Sequence, residues 1–250
     1  MAGLADDWEE NRQTCVDVLC AYLRMPYEPD PGQEAPQQQR LAFQANREVR
    51  HTVIRVITAH LKEDAAVSWQ GLNFDFDGVV FDGGSFSEAR FSGGTANFSG
   101  ARFSGGTINF DARFSGGNVY FVGAEFSDGA VHFGRAQFSG SDVYFVGAKF
   151  SGGAVYFDGA RFSGGRVLFI AAEFSGGKVD FSGARFSGGK VTFAVASFSG
   201  GTVSFDTAGF SGGEVDFSDA GDWSYPPAFP WTDTPPPGVK IPNKEDESQA

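Results

Sequence analysis

The feature that most constrains the fold is a phenylalanine repeat that runs from Phe76 to Phe217. After an opening run spaced by five residues, the intervals between successive Phe residues alternate between seven and five. The unit is therefore twelve residues long, A-x-F-S-G-G-x-V-x-F-x-x, and eleven copies run from Ala89 to Ala220. So regular a period predicts a repeat architecture, in which each unit packs against its neighbours.

Within each unit, the apolar residues alternate as they do in a short β-strand. Val155 precedes Phe157 by two residues, and Ala148 precedes Phe150 by two. Residues two apart in an extended chain point to the same side, so these pairs face inward. The Ser-Gly-Gly segments supply the positive φ angles that let the chain turn a corner. Because a short strand cannot bury its Phe alone, the coils must stack into a β-solenoid.

The opening run resembles the pentapeptide-repeat family, whose unit is A-(D/N)-(L/F)-x-x. The residues that carry the likeness are Phe76, Phe81, Phe86 and the segment Ala89-Arg90-Phe91-Ser92-Gly93. The resemblance covers about 150 of the 250 residues and implies a right-handed, four-sided β-helix with the central Leu or Phe inside. Two extra residues in every second side lengthen a coil from twenty to twenty-four. The stretch 12–27 is also similar to a segment that precedes such repeats in actinobacterial proteins, many of which carry upstream membrane helices.

We therefore predict a mainly β protein, a right-handed quadrilateral-type β-helix of about six coils with an N-terminal α-helical pair. At ~4.8 Å per stacked strand, six coils would be roughly 30 Å long. Residues 1–66 are expected to form a helical region and cap, residues 67–222 the β-helix, and residues 223–250 a Pro/aromatic cap with a disordered tail. The predicted core includes Phe76, Phe81, Phe86, Phe91, Phe150, Phe157, Phe162 and Phe169.

The predicted helical pair consists of two amphipathic segments joined by a Pro-rich loop. The first runs from Trp8 to Leu23 and stops before Met25-Pro26, because a residue that precedes proline is disfavoured in a helix. The second runs from Gln37 to Lys62. Its apolar stripe is expected to contain Leu41, Val49, Val53, Ile54, Val56, Ile57 and Leu61.

Reading the sequence at a period of 24 assigns each outward residue to a column on one side of the solenoid. One side carries aromatic and aliphatic residues through three coils, and such patches often mark interfaces. Three interpretations are open: a protein partner or self-association, cover by the protein's own chain, or an exposed patch without a role. The candidate interface residues are Tyr120, Val122, Tyr144, Val146, Leu168 and Ile170.

The remaining outward columns mix charges of both signs. Opposite charges in one column are expected to form ion pairs between coils, each worth little at the surface. Such columns are Glu125, Lys149 and Glu173, and also Asp142, Arg166, Lys190 and Glu214. A mildly basic column consists of Arg113, Gln137, Arg161 and Arg185.

No residue cluster indicates catalysis, a cofactor or a metal, and we expect no enzyme activity. The histidines His51, His60 and His132 lie far apart in different contexts, and Ser recurs too regularly to single out a nucleophile. Cys15 and Cys20 suit neither a disulfide framework nor a zinc site, and indicate a reducing compartment. No leader or membrane span is evident, so the sequence predicts a cytoplasmic protein, with membrane association possible through a partner.

The leading functional prediction is a non-catalytic scaffold or protein-protein interaction module that binds a protein partner or itself. A net charge of −12 makes direct binding to nucleic acid unfavourable. The resemblance implies one alternative, because some pentapeptide-repeat proteins mimic DNA and bind DNA gyrase or another topoisomerase. Mimicry favours long carboxylate columns, whereas the columns here mix signs.

Overall fold

The computed structural model describes residues 2–242. The helical region contains α1 (Ala2–Asp7), a 3-10 turn (Glu9–Asn11), α2 (Arg12–Arg24) and α3 (Gln37–Leu61). All strands follow these helices, which confirms the predicted mainly β fold with a helical N-terminal region. The strands are β1 (Phe74–Asp75), β2 (Val80–Phe81), β3 (Gly84–Ser85), β4 (Arg90–Asn97), β5 (Arg102–Asn109), β6 (Arg113–Tyr120), β7 (Glu125–His132), β8 (Gln137–Phe138), β9 (Asp142–Tyr144), β10 (Lys149–Phe150), β11 (Ala154–Tyr156), β12 (Arg161–Leu168), β13 (Glu173–Phe174), β14 (Lys178–Asp180), β15 (Arg185–Thr192), β16 (Ser197–Phe198), β17 (Thr202–Ser204), β18 (Gly209–Asp216) and β19 (Val239–Lys240).

The strands form two parallel sheets that wind around one core, as a β-solenoid requires. In one sheet the stacking order is β1, β4, β6, β8, β12, β15, β18 and β19, which is eight levels and about seven turns. The prediction of six coils counted only the sides between Phe76 and Phe217. The count was one turn short because β1 and β19, which both lie outside that range, add a strand level at the ends.

Four ladders of stacked Phe rings fill the interior, one for each side of a turn. Phe138, Phe145, Phe150 and Phe157 belong to one turn, and Phe162 stacks on Phe138 one turn later with ring centroids 4.8 Å apart. Two of the ladders also meet edge-to-face across the centre, as in the pair Phe145 and Phe157 at 6.0 Å. Offset stacks and edge-to-face contacts are the favoured aromatic geometries. All eight Phe residues of the predicted core are buried.

Glycine is required at the corner inside the Ser-Gly-Gly segment. Gly165 has φ +71°, a left-handed conformation, and a Cβ at this position would lie 2.2 Å from the carbonyl oxygen of Ser141 in the preceding coil. The register of β12 and β15 shifts at the same point, between Phe162 and Arg166. The corner therefore bulges outward while the Phe residues on both sides of it remain in register.

One step of the repeat, from Phe110 to Phe114, spans four residues instead of five, and a tighter corner accommodates it. At a regular corner, the N–H of Ala148 donates to the carbonyl of Phe145, three residues earlier. At the short step, the N–H of Ala112 donates to the carbonyl of Phe110, only two residues earlier, at 2.6 Å. The coil that contains this step has 23 residues, because Phe91 pairs with Phe114, and the later coils have 24.

The N-terminal helices pack on the first coil of the solenoid. α2 contacts β1 and α3 contacts β3, and the ring of His60 stacks on Trp69 at 4.0 Å. Only the second half of α3 is buried, so the predicted stripe was wrong for Leu41 and Val49, which are exposed, as is Trp8 of the first predicted helix.

The C-terminal segment lies across the last rings of the Phe ladders. Trp223 contacts Phe217 edge-on at 5.8 Å, and Phe229 stacks on Phe205 at 5.5 Å. Trp231 continues this layer by stacking on Phe229 at 4.6 Å. Residues 243–250, which contain most of the predicted disordered tail, lie outside the described residues.

Candidate functional site

The six candidate interface residues lie together on one side of the solenoid, which we call the tyrosine face (Tyr120, Val122, Tyr144, Val146, Leu168 and Ile170). Strand pairing places Tyr144 between Tyr120 and Leu168 in adjacent coils. Hydrogen bonds from Gly123 to Val146 and from Gly147 to Ile170 align the second column in the same way. The 24-residue period therefore assigns neighbours correctly on this side.

Side chains alternate along each strand, and on this side both the inward and the outward residues are apolar. Val143 and Phe145 point inward and are buried, so Tyr144 between them must point outward. The rings of Tyr120 and Tyr144 stack with centroids 4.9 Å apart and planes 18° apart. Both are half-buried, whereas Val122 at the corner has 38% of its surface exposed.

The apolar column continues one coil further than the sequence interpretation recognised. After Gly123 and Gly147, the corner position is occupied by Ala171 and then by Val195. Val195 has φ +56°, which is unfavourable for a β-branched residue, and 63% of its surface is exposed. Ala194 precedes it in the Val122 column. Reading the corner column at the same 24-residue period would have found both residues.

Charged residues line the margin of the tyrosine face where each strand enters it. Arg166 donates two hydrogen bonds to Asp142 in the preceding coil, at 2.5 and 3.1 Å. These bonds and the positive charge of Arg166 lower the pKa of Asp142, while burial raises the pKa of the neighbouring Tyr144 hydroxyl. Farther along the same margin, Lys190 lies 3.6 Å from Glu214. The margin therefore carries both signs of charge, with Arg166 and Lys190 between the carboxylates of Asp142 and Glu214.

The predicted charge column of Glu125, Lys149 and Glu173 does not form ion pairs between its members. Lys149 is in register with Glu125 and Glu173 in adjacent coils. Within residues 2–242, however, no carboxylate lies within 4.0 Å of Lys149, and Glu125 pairs instead with Arg102 at 3.5 Å. Register alone was therefore not enough to predict an ion pair in this column, because long exposed side chains can point elsewhere.

The side across the core from the tyrosine face has the same backbone and a polar exterior. We call it the opposite face (His132, Gly134, Tyr156, Asp158, Asp180 and Ser182), and each member lies twelve residues after its counterpart. His132 stacks on Tyr156 at 4.9 Å, and Lys178 lies 5.4 Å from the Tyr156 ring and 2.8 Å from Asp180. Burial opposes the charge on Asp180, but hydrogen bonds from Lys178 and Ser182 outweigh it, so the pKa of Asp180 is lowered.

Comparison with known protein families identifies the repeat. Residues 72–111 match the family model described as Pentapeptide repeats (9 copies). The chain therefore contains pentapeptide repeats. No curated protein and no solved structure matches it. The matched segment begins ahead of β1 and includes the run of Phe residues spaced by five, where the family pattern is free of the two-residue insertions.

A polar network holds the N-terminal helices against the solenoid. Asp82 accepts hydrogen bonds from Tyr27 at 2.6 Å and from Arg47 at 2.9 Å, and its other oxygen lies 3.0 Å from His51. Burial opposes the charge on Asp82, but Tyr27, His51 and Arg47 together lower its pKa. The buried Arg50 donates to backbone carbonyls of the helical region and of the solenoid. The sequence interpretation missed this network because it joins distant segments.

The chemistry-bearing residues of the described region are engaged in structural contacts. His51 and His60 are half-buried beside Asp82 and Asp6, respectively. Cys15 and Cys20 are free and buried, and burial raises the pKa of the Cys20 thiol to about 12. Residues 2–242 contain no group of His, Cys, Asp and Glu that could hold a metal ion.

A surface cleft with a volume of about 660 Å³ lies beside the tight corner at Ala112. Its charged lining is mostly paired, as in Lys62 with Glu88 at 2.6 Å and Arg135 with Asp111 at 3.0 Å.

Among residues 2–242, no helix is long and apolar enough to cross a membrane. The described residues therefore offer one distinctive surface, the tyrosine face.

Proposed function

We propose that this pentapeptide-repeat protein is a rigid, non-catalytic interaction scaffold and that its tyrosine face binds protein. One observation carries the proposal: the tyrosine face and the opposite face share a backbone and a Phe core, yet only one is apolar outside. Because the opposite face forms the same coils with polar residues, folding does not require the apolar exterior. A contiguous apolar surface that folding does not require is typical of a binding site.

The composition of the face suits a protein ligand. Tyrosine side chains provide a large contact area with few rotatable bonds, and the Tyr120 and Tyr144 rings already hold each other in place. The charged margin that includes Asp142 and Arg166 corresponds to the polar rim that surrounds most protein interfaces. Because the strands are fixed by hydrogen bonds in both directions, little conformational entropy would be lost on binding.

The helices and the C-terminal segment leave the face accessible within residues 2–242. α2 and α3 pack on the first coil, and the segment from Trp223 to Trp231 packs on the last rings. Both are at the ends of the solenoid, whereas the tyrosine face lies along its length. The proposal therefore places the ligand outside this chain.

The DNA-mimic alternative has less support from the surface. Mimicry of a duplex needs regularly spaced negative charge, whereas Lys149 separates Glu125 from Glu173 and Arg166 neutralises Asp142. The alternative predicts that the protein inhibits DNA gyrase supercoiling at micromolar concentration. A supercoiling assay without inhibition would remove it.

We place this activity in the cytoplasm, with any membrane association provided by a bound partner. Two free thiols, Cys15 and Cys20, are compatible with a reducing compartment. A membrane-associated partner is compatible with the same face, because the proposal requires only a protein surface.

A pair of matched substitutions tests the proposed function. Tyr144 and Tyr156 occupy the same position of the repeat on the two faces, and both are half-buried. Light scattering would measure the mass of the protein and of any complex for Tyr144→Lys and Tyr156→Lys. We expect association to be lost only in Tyr144→Lys, with both variants keeping the wild-type circular dichroism spectrum.

A photo-crosslinking residue extends the test to partners from the producing cells. Benzoylphenylalanine at Ile170 on the tyrosine face is compared with the same residue at Ser182 on the opposite face. The proposal expects protein adducts, with the same chain or with another protein, from position 170 alone. Equal adduct formation at the two positions, or none at either, would contradict it.

A further inference from the structure

We infer that the tyrosine face binds a second copy of this chain, with the two solenoids antiparallel. This inference rests on the proposed function, because it names the occupant of the same face. Charges and side-chain sizes each follow a definite order along the face. Both orders become complementary when one copy is rotated by 180° about an axis across the face, between the coils of Tyr144 and Leu168. Each contact in such a dimer occurs twice.

The charged margin supports this axis. The rotation brings Asp142 opposite Arg166 of the second copy, and Arg166 opposite Asp142 of the second copy. Each ion pair within one chain would then lie against the reversed pair of the other, which gives four alternating charges.

Side-chain sizes are complementary about the same axis. Val195 projects from its corner with 63% of its surface exposed, and the rotation places it opposite Gly123. A Cβ on Gly123 would have no atom within 4 Å, so there is space to receive the valine. In the next column, Val122 lies opposite the smaller Ala194. Packing of large against small residues is what a self-complementary interface needs.

Antiparallel alignments shifted by half a coil bring like charges together. Moving the axis by half a coil places Asp142 opposite Asp142 of the second copy in one direction, and Arg166 opposite Arg166 in the other. A parallel dimer, with its axis along the solenoid, would place the charged margin against the column of Val122 and Val146. That arrangement would bury charges against apolar groups, which is unfavourable.

The size of the face predicts a weak and reversible dimer. The whole side of the solenoid that carries the face, seven turns at ~4.8 Å and three to four residues at about 3.3 Å, provides at most roughly 400 Å² on each copy. Stable interfaces bury about 800 Å² on each partner. We therefore expect a dissociation constant of micromolar order, so association should be measured up to several hundred micromolar protein at ~0.15 M salt, where long-range repulsion is screened.

A charge-exchange experiment tests the antiparallel pairing directly. In a dimer of Asp142→Arg, positions 142 and 166 are both arginine, so two arginines of one copy would face two arginines of the other. In a dimer of Arg166→Asp, two aspartates of one copy would face two aspartates of the other. We expect each variant alone to dimerise at least tenfold more weakly than the wild type in sedimentation equilibrium. An equimolar mixture should dimerise again, because the mixed dimer restores opposite charges at both contacts.

The mixture separates the contact between chains from the ion pair within each chain. Mixing cannot repair the pair inside either variant, so recovered association reports only contacts between copies. Circular dichroism of each variant checks that the solenoid is folded at the temperature used. If the mixture associates no better than the separate variants, or if the wild type remains monomeric throughout the range, the inference is wrong.

Cysteine crosslinking provides a second measurement that does not depend on charge. Val122 and Ala194 lie three coils apart, about 14 Å, so they cannot form a disulfide within one chain. In the antiparallel dimer they face each other, and the double variant Val122→Cys/Ala194→Cys should form a covalent dimer under mild oxidation. Neither single variant should do so. The native Cys15 and Cys20 are buried and give little background.

Failure of this inference can be distinguished from failure of the proposed function. If the wild type is monomeric but benzoylphenylalanine at position 170 still captures another protein, the face is a binding site and only its occupant was wrong. If crosslinks from positions 170 and 182 are also alike, the proposed function fails as well. Efficient crosslinking of Val122→Cys alone would indicate a different dimer geometry and would also overturn the antiparallel arrangement.

Discussion

The tyrosine face and the opposite face differ outside the solenoid and agree inside it. Tyr144 and Tyr156 occupy equivalent positions, but the residues that follow them by two are Val146 and Asp158. Behind both, equivalent Phe ladders meet edge-to-face at the centre of the coil. The inward residues of this repeat therefore determine the fold, while the outward residues can vary independently.

The largest effect should be the same on both faces. Phe145→Ala and Phe157→Ala each remove a buried ring from an equivalent ladder, and each should lower the free energy of unfolding by about 3–5 kcal/mol. Urea denaturation followed by circular dichroism would measure both. A clearly smaller loss at one position would mean that the two ladders do not contribute equally, and the comparison would then fail inside the core.

A smaller effect should separate stability from association at the two opposite corners. Val195 and Thr207 are both β-branched residues with positive φ, twelve residues apart. A left-handed conformation costs a non-glycine residue about 1–2 kcal/mol, and substitution with glycine removes this cost. Glycine also makes the unfolded chain more flexible, which offsets part of the gain in stability. We expect Val195→Gly and Thr207→Gly each to raise stability by about 0.5–1 kcal/mol in thermal unfolding. Only Val195→Gly should weaken association.

Acidification should distinguish the two faces through their carboxylates. The pKa values of Asp142 and Asp180 are both lowered in the folded protein. Each carboxylate therefore stabilises the fold above its unperturbed pKa of ~3.9, and this contribution is lost as the pH falls through the lowered value. Because a surface ion pair is worth only about 0.2–1 kcal/mol, each stability change should be small.

Association should respond to acid through Asp142 alone. Protonation of Asp142 removes its attraction for Arg166 of the second copy, so the dimer should weaken as the pH falls through the lowered pKa of Asp142. Sedimentation of Asp142→Asn should show a weaker dimer with little further loss in acid, whereas Asp180→Asn should behave like the wild type. Equal acid sensitivity in all three proteins would place the effect outside the tyrosine face.

The smallest effect concerns the exterior itself. Val146→Asp gives the tyrosine face the residue found at the same position of the opposite face, and Asp158→Val makes the reverse change. Exposed substitutions of this kind usually alter the free energy of unfolding by less than about 0.5 kcal/mol, and we expect that result for both. A large loss in either variant would show that the exterior contributes to folding, which would remove the observation behind the proposed function.

The sequence predicted most of the fold because the inward pattern repeats and its physical meaning is local. The pairing of Tyr120, Tyr144 and Leu168 followed from a period of 24 alone. The seventh turn was missed because β19 closes it without a Phe of the regular spacing. Where the order of residues does not repeat, as in the helical region, the sequence indicated helices but not which faces are buried.

The candidate surface was predicted only in part for a related reason. Val195 lies in a corner column that begins with glycines, and its exposure follows from a backbone conformation that the sequence does not state. The Asp82 network depends on the docking of two helices against the first coil, and no period relates Tyr27, Arg47 and His51 to it. Such contacts between distant, non-repeating segments require coordinates.

The twelve-residue unit fills half of a turn, and this has a consequence for how such a gene can change. Loss or duplication of 36 nucleotides would rotate every later coil by half a turn, so that the following tyrosines would emerge on the opposite face. A change of 72 nucleotides would lengthen or shorten the solenoid and leave each face intact. Tandem copying in steps of two units therefore extends a binding surface, whereas an odd number of units divides it between two sides.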